Sequence, residues 1–131
     1  MEVKQPSISI VGVDQSQTHQ SSGPHKAIYT IYLKLNEMPP ESWGRFFEEA
    51  RRFPRHSMWR KAWCDGDYVV IECPPEELEE HHLECLKEDV ATANKDWWEA
   101  AKKYQRQIEA ERAEEDAEKE RVSNVLGNIK F

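Results

Sequence analysis

Glycine is scarce, with five residues in a chain of 131. None of them builds the Gly-x-Gly-x-x-Gly or Gly-x-x-x-x-Gly-Lys loop that cradles a phosphate, and Gly-x-Ser-x-Gly is missing as well. Cysteine is also rare. Cys64, Cys73 and Cys85 are an odd set, so no disulfide framework is expected. No apolar run approaches the roughly 20 residues needed to cross a bilayer. The opening "MEVKQPSISI" lacks the long apolar core of a secretory leader. These absences lead to the expectation of a cytoplasmic protein without a membrane segment. Positive charge is in short supply too: 18 Lys and Arg stand against 25 Asp and Glu, a net charge of −7. Such a balance disfavours nonspecific attraction to nucleic acid or to an anionic membrane.

What the chain has is a repeated piece of punctuation. Pro39-Pro40-Glu41 and Pro74-Pro75-Glu76 each follow a strand-like run and precede a helical pattern. Proline suits a first helical turn, where its missing N–H has no partner to lose, and glutamate suits the positive end of the helix dipole. Residues 7–13 read as a short strand, 14–25 as a polar mobile loop, and 26–35 as a strand. Alternation along that strand puts Tyr29, Ile31, Leu33 and Leu35 on one face, with Ile28, Thr30, Tyr32 and Lys34 on the other. Trp43, Phe46, Phe47 and Ala50 recur at helical spacing up to about Arg52, and Pro54 follows.

Asp65-Gly66 lies between two further strand-like runs, 58–64 and 67–73, and reads as a hairpin turn. A two-residue Asp65-Gly66 loop sets Cys64 opposite Asp67, Ala62 opposite Val69 and Arg60 opposite Ile71. The other face then holds Trp59, Lys61, Trp63, Tyr68, Val70 and Glu72. From Pro75 a long helical stripe follows: Leu78, Leu86, Val90, Ala93, Trp97, Ala101, Tyr104 and Ile108. The expected fold is therefore α+β. Specifically, it is a ferredoxin-like β-α-β-β-α layer with an extra N-terminal strand and a long C-terminal helix. The N-terminal strand is expected antiparallel beside strand 26–35. Residues 1–108 form the sandwich domain, and 109–131 form an acidic helical extension and tail.

Three chemistries compete with structural alternatives. Cys85 lies four residues after His81 and three after His82, so a helix could present two metal ligands on one side. Cys64 and Cys73, however, are separated by most of a hairpin, so no metal and no cofactor is expected. Each histidine is expected at the surface, not in catalysis. Arg51, Arg52, Arg55, Arg60 and Lys61 interleave with Phe53, Trp59 and Trp63, a pattern that can track single-stranded nucleic acid or another anion. Of these, Arg55, Arg60 and Lys61 are the candidate anion contacts. The overall acidity favours an intramolecular or subunit-contact role for the cluster and disfavours nucleic acid.

The sheet face left free by the helices carries the leading candidate surface, Tyr32, Trp59, Trp63 and Tyr68. So much apolar area calls for a cover: a second copy, the long helix, or stacked bases. Trp98 and Leu126 are secondary contacts. The expected function is that of a non-catalytic assembly protein. It oligomerises or binds a protein partner through that face and the C-terminal helix. A small enzyme built as a dimeric α+β barrel is a further alternative.

Overall fold

The β-branched and aromatic runs at the centre of the chain pair as antiparallel strands, and the amphipathic segments between and after them form helices. In this computed structural model, which describes residues 4–131, the elements run β1 (Ile10–Val13), β2 (His19–Gln20), β3 (Tyr29–Leu35), α1 (Trp43–Ala50), β4 (Ala62–Asp65), β5 (Tyr68–Cys73), a π-helical turn (Leu78–His82) and α2 (Leu83–Gly127). Residues 1–3, with which the expected domain and the "MEVKQPSISI" segment begin, lie outside the described residues. The fold is mixed α+β: an open antiparallel sheet of five strands with a long C-terminal helix. The strand order is β1-β3-β5-β4, with β2 also paired to β3. As expected, the N-terminal strand lies antiparallel beside β3. Two units divide the chain, one ending at Trp98 and the other comprising Glu99–Phe131.

One face of the sheet makes the core. Ile31, Leu33 and Leu35 of β3 and Val69, Ile71 and Cys73 of β5 are buried there, against Trp43 and Phe47 of α1 and Leu86, Val90 and Ala93 of α2. The alternation read from the sequence gives the same faces. Trp43 and Phe47 stack with ring centroids 5.8 Å apart. Two polar contacts fix this packing: the Trp43 indole N–H donates to Asn94 Oδ1 at 2.9 Å, and Asn94 Nδ2 donates to the Ile8 carbonyl at 2.9 Å. Asn94 thus ties α1, α2 and the chain before β1 through one side chain.

Three details differ from the sequence reading. The hairpin loop is Gly66-Asp67, not Asp65-Gly66, because Asp65 pairs with Tyr68, Cys64 with Val69 and Ala62 with Ile71. Gly66 has φ +59°, the conformation that a type II′ connection requires at its first central position. The slip is two residues, so each side chain keeps its face. Second, the Pro-Pro-Glu triplets form turns ahead of the helices and not their first helical turns. Trp43 N–H reaches the Pro40 carbonyl, and Glu77 and Leu78 N–H reach those of Pro74 and Pro75. Ser42, just before α1, takes φ 72°, which costs a non-glycine residue about 1–2 kcal/mol. Third, residues 14–25 include the strand β2, because the Asp14 carboxylate accepts from the N–H groups of Ser16 and Gln17 and turns the chain back onto β3.

Asn94→Ala strands two buried groups at once, so urea unfolding is expected to show a loss of about 2–4 kcal/mol. A loss under about 0.5 kcal/mol would contradict the role given to this side chain.

Candidate functional site

The helix-free face is built from Thr30, Tyr32 and Lys34 of β3, Tyr68, Val70 and Glu72 of β5, and Trp63 of β4. Cross-strand register sets Val70 between Tyr32 and Trp63, and Val70 is fully buried without a helix above it. The aromatic rings themselves close over it. Tyr32 and Tyr68 meet edge to face at 5.4 Å, and Lys34 lies 4.9 Å from the Tyr68 ring centroid while pairing with Asp67. The Tyr68 hydroxyl donates to Asp14 Oδ2 at 2.6 Å, which pushes the phenol up to about 12. The hydrogen bond from Ser16, followed by that from Tyr68, holds the Asp14 carboxyl below its ordinary value. Thr18 Oγ1 accepts the Tyr32 N–H at 3.1 Å, and Ser21 and Thr30 hydroxyls bond at 2.8 Å. Tyr32, Trp63 and Tyr68 are therefore partly buried by their own neighbours and by the 14–21 segment. This cover differs from a second copy, the long helix and stacked bases alike.

Trp59 stands ahead of the paired part of β4, at the border of this face, where it lines a cavity with Ile28 and Glu72. Strand pairing runs from Ala62, with the Lys61 carbonyl still accepting the Glu72 N–H at 3.1 Å, and stops short of Trp59. Trp59 instead meets the guanidinium groups of Arg51 at 4.2 Å and Arg55 at 4.9 Å, with His56 at its edge. Around it lies a polar cluster. Arg51 Nη1 donates to Asp89 Oδ2 at 2.7 Å, with both side chains buried, and Arg51 Nη2 donates to the Arg60 carbonyl. Burial lowers the Arg51 pKa, with Asp89 opposing that pull. Arg55 Nη2 reaches the other Asp89 oxygen at 2.8 Å. Arg60 grips Glu77 through two hydrogen bonds of 3.3 and 3.0 Å. Loss of one partner from the buried Arg51–Asp89 pair is expected to cost about 3–5 kcal/mol, so that pair locks α1 to α2.

Of the three candidate anion contacts, Arg60 and Lys61 line one cavity and Arg55 does not. Arg55 faces Asp89, Arg60 faces Glu77, and Lys61 lies 5.4 Å from the Trp63 ring centroid. A cavity of about 430 Å³ lies between Trp59, Arg60, Lys61, Ile28, Glu72 and the Ser21–His25 loop. Of its basic residues Arg60 is already paired with Glu77 and Lys61 lies over the Trp63 ring, and Glu72 adds a carboxylate.

His82 is buried, which overturns the surface expectation for it. Its Nε2 lies 3.3 Å from Glu77 Oε1 and so carries the proton, leaving Nδ1 as an acceptor. His56 Nδ1 accepts the Met58 N–H at 3.1 Å, so its proton is on Nε2. Both His82 Nδ1 and His56 Nε2 are buried without a partner, in rings 5.9 Å apart. Burial is the largest influence on His82 and draws its pKa below 6.5, against the opposing pull of Glu77.

Nucleophilic chemistry has little footing among the cysteines. Burial raises the thiols of Cys64 and Cys73 to about 11, so neither is activated. Among the described residues no three His, Cys, Asp or Glu side chains are grouped to hold a metal ion.

The segment Glu99–Phe131 differs in kind. Every residue from Glu109 onward is exposed. Val122, Val125 and Leu126 nevertheless make an apolar stripe, which Ile129 continues in the closing turn where Asn128 and Ile129 N–H bond the Val125 and Leu126 carbonyls. Leu126, a candidate contact, is 60% exposed, and Tyr104 is 66% exposed. The candidate Trp98, in the other unit, is partly buried. No helix among the described residues is long and apolar enough to cross a membrane. No protein-family model, curated protein or solved structure matches the chain.

Because folding holds the His82 pKa down, its contribution to stability is complete above pH 6.5. It declines as pH falls from there through the lowered folded value. Urea unfolding at pH 7.5 and pH 5 should therefore show acid destabilisation that is reduced in His82→Gln. An unchanged pH slope in that variant would mean that His82 is not the source.

Proposed function

We propose that the chain is a non-catalytic assembly protein that joins a protein partner through Glu99–Phe131, acting in the cytoplasm. The unit ending at Trp98 serves as its folded anchor. We read that unit as ferredoxin-like, with β1 in the place of the fourth strand; the order β1-β3-β5-β4 and the antiparallel pairing support this reading.

One observation carries the proposal. Val122, Val125, Leu126, Ile129 and Phe131 are all exposed, and the first three share one side of a helix that is otherwise strongly charged. Single exposed apolar residues are ordinary, whereas a continuous apolar stripe at helical spacing is what a helix presents to another protein. Tyr32, Trp63 and Tyr68 remain a secondary contact surface in this reading, because their rings are only partly covered. Trp59 is better explained as a platform for Arg51 and Arg55.

In extracts of the cells that make it, the chain is expected to sediment in an assembly heavier than its own 15.4 kDa. Val122→Asp with Leu126→Asp should return it to that mass while circular dichroism shows the fold intact. Wild-type chain running at its own mass in such extracts would overturn the proposal.

A further inference from the structure

Resting on the reading of Glu99–Phe131 as an interaction surface, we infer that its partner is a different protein. That partner offers an amphipathic helix with a basic middle and apolar ends, and a second copy of this chain does not fit. Along α2 the residues that fall on one side follow an unbroken alternation of three and four. Ala101, Ile108, Glu115 and Val122 make one column, while Tyr104, Glu111, Glu118 and Val125 make the other. This is the seam spacing of paired helices. Its two ends are apolar and its middle is three glutamates, each of them exposed. Between residues 109 and 121, seven acidic side chains stand against three basic ones.

Self-pairing conflicts with that pattern in either direction. A parallel, in-register pair sets Glu111, Glu115 and Glu118 each against its own counterpart. An antiparallel pair that matches the apolar ends must centre on Glu115, since Ile108 and Val122 lie seven residues to either side of it. Glu115 then meets itself, and the seam glutamates Glu111 and Glu118 come within one residue, about 1.5 Å, of level with each other. Like charges facing across a seam select against a pairing, as polar and charged seam positions do in helix pairs generally. An antiparallel overlap confined to residues 122–129 escapes the repulsion but keeps about two turns of seam, short of the three heptads that sustained pairing needs. Lysine or arginine opposite the three glutamates satisfies the whole length. Glu118, bonded to Arg121 at 2.7 Å, shows that a basic side chain is accepted beside this seam.

The test uses full-length chains, with a charge-reversed copy as the probe. Wild type alone and Glu111→Lys/Glu115→Lys/Glu118→Lys alone should each sediment as one chain at micromolar concentration. Their equimolar mixture should move to twice 15.4 kDa and return to one chain when Val122 and Leu126 are changed to Asp in both. Circular dichroism of the triple variant monitors its helix. Should that helix be lost, Glu111→Lys/Glu115→Lys, which keeps the Glu118–Arg121 pair, takes its place. A wild-type dimer abolished by Val122→Asp would overturn the inference while leaving the interaction surface standing. A mixture that stays at one-chain mass would also overturn it, and the extract experiment would then judge the surface separately.

Discussion

A helix of 45 residues is set on strands of at most seven, and most of what is unusual here follows from that mismatch. At about 3.3 Å per residue the longest strand spans roughly 23 Å. At 1.5 Å per residue that length covers about fifteen residues of helix. Fifteen residues from Leu83 end at Trp97, and the buried positions of α2, Leu86, Asp89, Val90, Ala93 and Asn94, all fall inside that span. The helical residues from Glu109 on, every one of them exposed, have to find their stabilisation from helix propensity, from pairs such as Glu118–Arg121, or from another molecule. The first two are weak sources, worth tenths of a kcal/mol per residue or pair. The acidic stretch 109–121 keeps such a segment solvated, and the apolar stripe after it gives a partner something to bury.

The covered part of the helix is held by an arrangement that is polar as well as apolar. Asp89 and Asn94 lie on the inward stripe of α2 and would be costly there without partners. Asp89 takes two arginines and Asn94 takes an indole N–H and a carbonyl, so each polar intrusion becomes a positional constraint. The basic run around Arg55 and Arg60, suggestive of anion binding in isolation, is used up in satisfying Asp89 and Glu77. Trp59 belongs to the same lock. What remains exposed and unexplained by the fold lies in the helix beyond it.

Local periodicity made much of this legible. The two sheet faces, the hairpin, the place of the N-terminal strand and the length of the last helix follow from alternation and helical spacing, which are properties of neighbouring residues. The sites were less legible because they depend on residues far apart in the chain. Nothing near Asp89 says that Arg51, thirty-eight positions earlier, will reach it. The clue was Asp89 itself, a charged residue beside Leu86, Val90 and Ala93 on the apolar stripe. The surroundings of Trp59 have a comparable origin: regular pairing stops at β4, and Arg51 and Arg55, eight and four positions earlier, take up its ring. Asp14 and Tyr68 bond across 54 positions, so no pattern in the loop sequence announced that it would pin the aromatic face.

The account turns on the claim that α2 changes from a packed helix to an unsupported one within a single element. Residue-resolved amide hydrogen exchange on the isolated full-length chain measures that directly. Amides around Leu86–Ala93 are expected to exchange only through global unfolding. Those between Gln105 and Glu120 should exchange orders of magnitude faster through local fraying. Equal protection along the whole helix would contradict the account, because it would mean that the second half is already stabilised within a lone chain and has no need of a partner.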